Sequence, residues 1–158
     1  MIYRPQSLFL ILILALELAV LLGLEIWSKG DLSGQLASIQ LYALEHSKNG
    51  ELLSTQWLWP SLLFLLLSFG LTTFILFSYR NRMRQMWMGL LNSALIAACM
   101  ASLFFSIFKV GVPLFEPQVQ GKYGLGFYAL VIALLANMIA NRLIRKDEML
   151  VRSADRLR

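Results

Sequence analysis

Residues 57–108 read WLWPSLLFLLLSFGLTTFILFSYRNRMRQMWMGLLNSALIAACMASLFFSIF and contain two long apolar runs, Leu58 to Phe77 and Met86 to Phe108. Each run has about the 20 residues that a helix needs to cross the hydrocarbon core of a bilayer. The connection from Arg80 to Gln85 is too short to cross the bilayer by itself. The two runs are therefore predicted to form a tight antiparallel helical hairpin.

Two further apolar runs flank this hairpin, Leu8 to Ile26 and about Tyr123 to Ile144. Hydrophobic residues make up 58% of the chain and charged residues 15%, against about 45–50% and about 25% in soluble domains. We therefore expect an all-α integral membrane protein, with one domain over 1–158 and four transmembrane helices in an antiparallel bundle. The predicted spans cover 8–26, 58–77, 86–108 and 123–144, followed by a short amphipathic helix in the tail, 145–158.

The distribution of lysine and arginine predicts the orientation, because cytoplasmic loops carry an excess of both. With both termini in the cytoplasm, ten of the 14 basic residues are inside, including every arginine, and four lysines are outside. The inner residues are Arg4, Arg80, Arg82, Arg84, Arg142, Arg145, Lys146, Arg152, Arg156 and Arg158, and the outer residues are Lys29, Lys48, Lys109 and Lys122. The sequence therefore predicts a multi-pass membrane protein with both termini in the cytoplasm.

The segment 28–56 is the one sizeable loop outside the predicted spans. Leu36, Ile39, Ala43 and Leu44 recur at about helical spacing, which favours a short amphipathic helix on the outer surface. A loosely ordered loop resting on the bilayer is the alternative. In either case the loop is too short for a catalytic domain.

The residues that usually carry catalysis or bind metals are scarce. The chain has one cysteine, Cys99, and one histidine, His46, which excludes intrachain disulfides, thiolate clusters and the usual zinc and Ser-His-Asp arrangements. No catalytic, cofactor-binding or metal-binding residue is predicted. The basic residues lack an aromatic reading surface for nucleic acid, so neither an enzyme nor a nucleic-acid-binding protein is expected.

Each predicted span contains a polar residue at a similar depth, namely Glu17, Ser68, Asn92 and Asn137. At about 1.5 Å of rise per residue they lie roughly 9–14 Å from the cytoplasmic end of their spans. An acid at this depth is costly and usually has a partner or faces a water-filled path. The cluster is either a site for proton transfer or ligand binding, or a protonated Glu17 that holds helices together through hydrogen bonds.

Small side chains recur at every fourth position of the third run, at Gly89, Ser93, Ala97 and Ala101. Such a ridge allows membrane helices to approach closely. It predicts a helix-packing seam, used either against the fourth helix, through its alanines, or between copies in a homo-oligomer.

The short connection and the tail carry most of the inner positive charge. The candidate docking residues are Arg80, Arg82, Arg84, Arg145, Lys146, Arg152, Arg156 and Arg158. A lipid anchor needs only positive charge, whereas the tail also contains Asp147, Glu148 and Asp155, which weaken attraction to anionic lipid. Docking to a membrane or cytoplasmic protein is therefore favoured slightly over a bare anchor.

Three segments resemble a known family. They are the ending ANRLIRKDEMLVRSADRLR at 140–158, the stretch YRNRMRQ at 79–85 and the opening MIYRPQS at 1–7. They resemble a family of small four-helix inner-membrane proteins from Bacteroidota whose function is unknown. The resemblance implies a fold and a bacterial inner membrane, and it implies no activity.

Together these observations favour a non-enzymatic accessory or scaffolding subunit that docks partners through its cytoplasmic basic loop and tail. The alternative is a carrier or channel for protons or a small solute, built around Glu17. Its expected surroundings are the lipid bilayer and a protein partner, with a homo-oligomer also open.

Overall fold

The computed structural model describes residues 5–78, 82–115 and 120–155, with side chains except at 82 and 151–155. In this part of the chain, four helices are joined to a five-stranded sheet. The helices are α1 (Pro5–Leu21), α2 (Trp59–Phe77), α3 (Arg82–Ser106) and α4 (Leu125–Asp155). The strands are β1 (Trp27–Gly30), β2 (Gln35–Ile39), β3 (Ala43–Lys48), β4 (Glu51–Trp57) and β5 (Lys122–Tyr123).

The helices pack side by side, with α1 against α2 and α4, and α3 against α2 and α4. We call the end where α1 and α3 begin and α2 ends the basic end. The opposite end carries the strands and is called the sheet end. Among the described residues, three helical segments are long and apolar enough to cross a membrane: Trp59–Phe77, Met83–Leu114 and Leu125–Leu150. The helix α1 is also apolar but shorter, with 17 residues.

The sheet shows that the all-α prediction is wrong. Strands run in the order β4-β3-β2-β1-β5, and neighbouring strands are antiparallel. Four of the five strands form from the segment 28–56 and its flanks, which was predicted as an amphipathic surface helix or a loose loop. The fold is therefore mixed α/β, and the expectation of a helical bundle alone is corrected.

Two features of the segment explain the strands: buried and exposed residues alternate, and a turn contains residues with positive φ. The predicted helix took neither feature into account. In β2, Ala37 and Ile39 are buried while Leu36 is exposed, which is the period of two of a strand with one covered face. Asn49 and Gly50 both have positive φ, 52° and 87°, and this pair is the strongest short hairpin signal. Leu36, Ile39 and Leu44 therefore match a helical spacing only by coincidence.

Two buried residues of β1 bind the segment that connects α3 to α4. The Trp27 Nε1–H donates to the carbonyl oxygen of Gln120 at 2.9 Å. The Lys29 side chain is 2% exposed, and its Nζ donates to the carbonyl oxygens of Val112, at 3.0 Å, and Phe115. The sheet thereby holds the segment that follows α3, where a π-helical turn (Ile107–Gly111) leads into a 3-10 turn (Val112–Leu114).

The helix α1 ends at Leu21 rather than at the predicted Ile26 because of Gly23. This glycine has φ of 102°, and its N–H bonds to Val20 O while Leu24 N–H bonds to Ala19 O. These two bonds form a Schellman motif, which terminates a helix at a left-handed residue. Because α1 ends at Leu21, the chain can begin the first strand at Trp27.

Candidate functional site: a polar network between the helices

The four polar residues singled out in the sequence meet inside the helical layer. Glu17, Ser68 and Asn92 are 0% exposed and Asn137 is 1% exposed. Each comes from a different helix, α1, α2, α3 and α4 respectively. In α1 the buried positions include Ile13, Glu17 and Val20, so the acid lies on the same stripe as the apolar residues that pack against the other helices.

Ser68 and Asn92 form the centre of the network. The Ser68 Oγ is in hydrogen-bond contact with Glu17 Oε1 and, at 2.9 Å, with Asn92 Oδ1. The Asn92 Nδ2 donates to Thr72 Oγ1 at 2.9 Å and to Asn137 Oδ1 at 3.4 Å. The network therefore links all four helices through side chains.

The Asn137 amide continues the network into α3. Its Nδ2 donates to the Gly89 carbonyl oxygen at 2.9 Å and to Ser93 Oγ at 2.8 Å. The Ser93 hydroxyl donates in turn to Gly89 O at 3.2 Å. Each of these bonds satisfies a group that would otherwise be costly to bury in an apolar interior.

Thr72 was missed at the level of sequence. It is 0% exposed, its Oγ1 accepts from Asn92, and its hydroxyl donates to Ser68 O at 3.0 Å. A threonine in an apolar helix often bonds back to the carbonyl four residues earlier, so a threonine alone does not indicate a polar network. Its spacing of four from Ser68 was the available signal, because residues four apart share a helix face.

The number of protons available to the network indicates the protonation state of Glu17. A hydroxyl supplies one proton, yet Ser68 Oγ contacts two oxygens, Glu17 Oε1 and Asn92 Oδ1. Both protons of the Asn92 amide point at Thr72 and Asn137, so Asn92 Oδ1 needs the proton of Ser68. The remaining contact can then be satisfied by a proton on Glu17, so a neutral carboxylic acid satisfies both contacts of Ser68.

The chemical capacity of this site is limited. Within the described residues Glu17 is the one acidic side chain of the network, and its Oε2 is buried without a hydrogen-bond partner. No group of three or more His, Cys, Asp or Glu side chains positioned to hold a metal ion occurs among the described residues. The arrangement provides hydrogen-bond partners for buried polar groups of four helices.

The predicted small-residue seam divides into two parts. Gly89 and Ser93 contact α4, and a Cβ added at Gly89 would lie 1.8 Å from Asn141 Oδ1. Ala97 and Ala101 are exposed. The alanines of α4 pack mainly elsewhere, because Ala133, Ala136 and Ala140 join a cluster with α1 and α2 residues such as Leu10 and Ile75.

The candidate docking residues are only partly described. Arg84, Arg145 and Lys146 are exposed at the basic end. Arg80, Arg156 and Arg158 lie outside the described residues, as do the side chains of Arg82 and Arg152. The structure brings the described members to one end of the molecule and does not join them to the polar network.

A family model for a domain of unknown function (DUF4293) matches residues 2–157, nearly the whole chain. The chain belongs to the DUF4293 family. No functionally curated protein matches it. Membership of DUF4293 agrees with the resemblance in the opening, the short connection and the tail, and it carries no activity with it. The function of this DUF4293 chain therefore has to be argued from its geometry.

Proposed function

We propose that the chain is a non-enzymatic accessory subunit of a bacterial inner-membrane assembly, with both termini in the cytoplasm and a protein partner bound at the tail of α4. The orientation rests on the sequence, since all nine arginines lie in or next to the segments predicted to be cytoplasmic and such an excess is typical of the cytoplasmic side. The absence of an enzymatic role rests on the scarcity of catalytic residue types in the sequence.

The observation that carries this proposal is the unbroken length of α4. It has 31 residues, which at 1.5 Å per residue gives about 46 Å. The hydrocarbon core is about 30 Å thick. When the apolar part of α4 is centred in the bilayer, the last turns extend beyond it as a rigid helix rather than as a flexible anchor.

The described face of this extension has mixed chemistry. Met149 and Leu150 are 59% and 60% exposed, and Arg145 and Lys146 are exposed nearby. Asp147 and Glu148 interrupt the positive charge. A partner that suits this surface has an apolar strip for the two large side chains and carboxylates for the arginines, which recognise them through forked hydrogen bonds.

Co-purification of the full chain from native membranes in mild detergent tests the proposal. We expect Met149→Ser with Leu150→Ser to lose the partner, while membrane insertion and protein level persist. Changing Arg152, Arg156 and Arg158 together to lysine should also release the partner. Lysine keeps the positive charge but cannot donate the two parallel hydrogen bonds of a guanidinium group.

The matched control removes two exposed apolar residues at the sheet end, Leu32→Ser with Leu36→Ser, whose side chains are 107% and 56% exposed. This control should retain the partner. If the serine pair in the tail and the lysine triple both keep every partner of the unmodified chain, docking through the tail is wrong.

The alternative function is a proton or solute carrier, and the observation that favours it is the unpartnered Glu17 Oε2. A carrier works without a partner, so the purified chain in vesicles should then collapse an imposed pH gradient faster than empty vesicles. Our proposal expects equal rates. A faster collapse that Glu17→Gln abolishes would put the carrier ahead of the accessory subunit.

A further inference from the structure

A groove of about 370 Å³ lies between α3 and α4 near the basic end. Its apolar lining includes Trp87 and Leu90 from α3 and Met138 from α4. Its polar lining includes Asn141, Arg142 and Arg145. A volume in the range of roughly 300–1,000 Å³ is typical of sites for small ligands. The groove meets the polar network around Glu17 at Ser93, and Glu17 itself does not line it.

The two walls follow from helical periodicity. On α3, Met86, Leu90 and Ser93 are four and three residues apart, and on α4 Met138, Asn141 and Arg145 have the same kind of spacing. Residues with these spacings share one face of a helix. The groove thus runs along both helices for about two turns, on the order of 10 Å, with the arginines toward one end.

In the orientation that we propose, the arginine end of the groove lies at the level of the lipid headgroups. Arg142 falls in the last turn of the apolar part of α4, and both Arg142 and Arg145 are exposed. Trp87 is 66% exposed, and tryptophan prefers the interface between headgroups and acyl chains. Leu90 and Met138 lie farther from the headgroups, at the level of the acyl chains. Their side chains are 53% and 45% exposed.

We infer that this groove binds one anionic phospholipid. The arginine guanidinium groups hold its phosphate through forked, charge-assisted hydrogen bonds. The first part of one acyl chain lies along Trp87, Leu90 and Met138. Charge complementarity selects an anionic headgroup, and basic grooves between membrane helices on the cytoplasmic side are suited to it. A free phosphate ester shares the arginine contact but leaves the apolar wall uncovered, so the occupant is the lipid.

Quenching of Trp87 fluorescence by brominated lipid tests the inference. The full chain is placed in phosphatidylcholine vesicles that contain a small fraction of phosphatidylglycerol or phosphatidylcholine with bromine on the acyl chain. The Trp87 signal is the difference between the unmodified chain and Trp87→Phe, which removes the contribution of the other three tryptophans. We expect brominated phosphatidylglycerol to quench this signal at several-fold lower mole fraction than brominated phosphatidylcholine.

Arg142→Gln with Arg145→Gln should reduce that preference by about fivefold or more, because each basic residue near an anionic lipid contributes measurably to its binding. The matched control, Arg84→Gln with Lys146→Gln, removes the same charge from exposed positions that do not line the groove. It should leave the preference within about twofold.

Three results would overturn the inference. Equal quenching by the two brominated lipids would mean that the groove holds bulk lipid only. An equal loss in both double variants would mean a diffuse attraction of the basic end. Relief of quenching by millimolar glycerol phosphate would mean a site for the free ester. Each result leaves docking through Met149 and Leu150 untouched, because these two side chains do not line the groove.

Discussion

At the scale of single residues, the contacts of Ser68 decide how Glu17 behaves. Since a neutral acid satisfies both contacts of Ser68, an amide can replace the carboxyl, and Glu17→Gln can donate its Nε2–H to Ser68 Oγ. We expect this variant to unfold in detergent within about 1 kcal/mol of the unmodified chain, near the average worth of one interhelical hydrogen bond. Thermal unfolding followed by circular dichroism measures the difference.

Glu17→Ala is the informative contrast. It removes the donor to Ser68 and leaves a void at a position that is 0% exposed, so a loss of about 1–3 kcal/mol is expected. A loss in the glutamine variant as large as that in the alanine variant would mean that the charged form is the one the fold needs.

At the scale of elements, the helices and the sheet differ in how far the sequence predicts them. Runs such as Leu58 to Phe77 are long and apolar, and α2 begins and ends within one residue of that prediction. The segment 28–56 gives a weaker signal, because its strands have only four to seven residues. Their pairing also depends on β5 and on the segment after α3, which lie far away in the sequence.

The turn between β3 and β4 yields a prediction with a matched control. A Cβ added at Gly50 or at Gly70 meets nothing within 4 Å, and only Gly50 has a positive φ, 87°. Gly50→Ala should therefore destabilise the hairpin by about 1–2 kcal/mol through backbone strain. Gly70→Ala, inside α2, should be neutral or stabilise the helix by up to about 1 kcal/mol.

Amide hydrogen exchange separates the two glycine variants. In Gly50→Ala the amides of β3 and β4 should exchange faster while those of α2 keep their protection. Unchanged exchange in β3 and β4 would mean that the hairpin does not need the left-handed conformation at this position.

At the scale of the whole molecule, the polar cluster could be predicted and the relation between sheet and helices could not. Depth along each span placed Glu17, Ser68 and Asn92 in one layer, because helix rise is constant. Which side chains face each other depends on rotation about each helix axis, and a depth count carries no information on that. The burial of Lys29 against Val112 and Phe115 depends on the sheet and had no signature in the sequence.

The orientation of the whole molecule is tested by cysteine labelling in intact spheroplasts. The excess of arginine at the basic end predicts that the sheet is outside and the tail is inside. An impermeant maleimide should then label Ser33→Cys, at an exposed position between β1 and β2, and should label Ser153→Cys only after permeabilisation. The unmodified chain is the background control because its one cysteine, Cys99, is 0% exposed. Labelling of the tail before permeabilisation would reverse the orientation, and it would also move the proposed lipid groove to the outer leaflet.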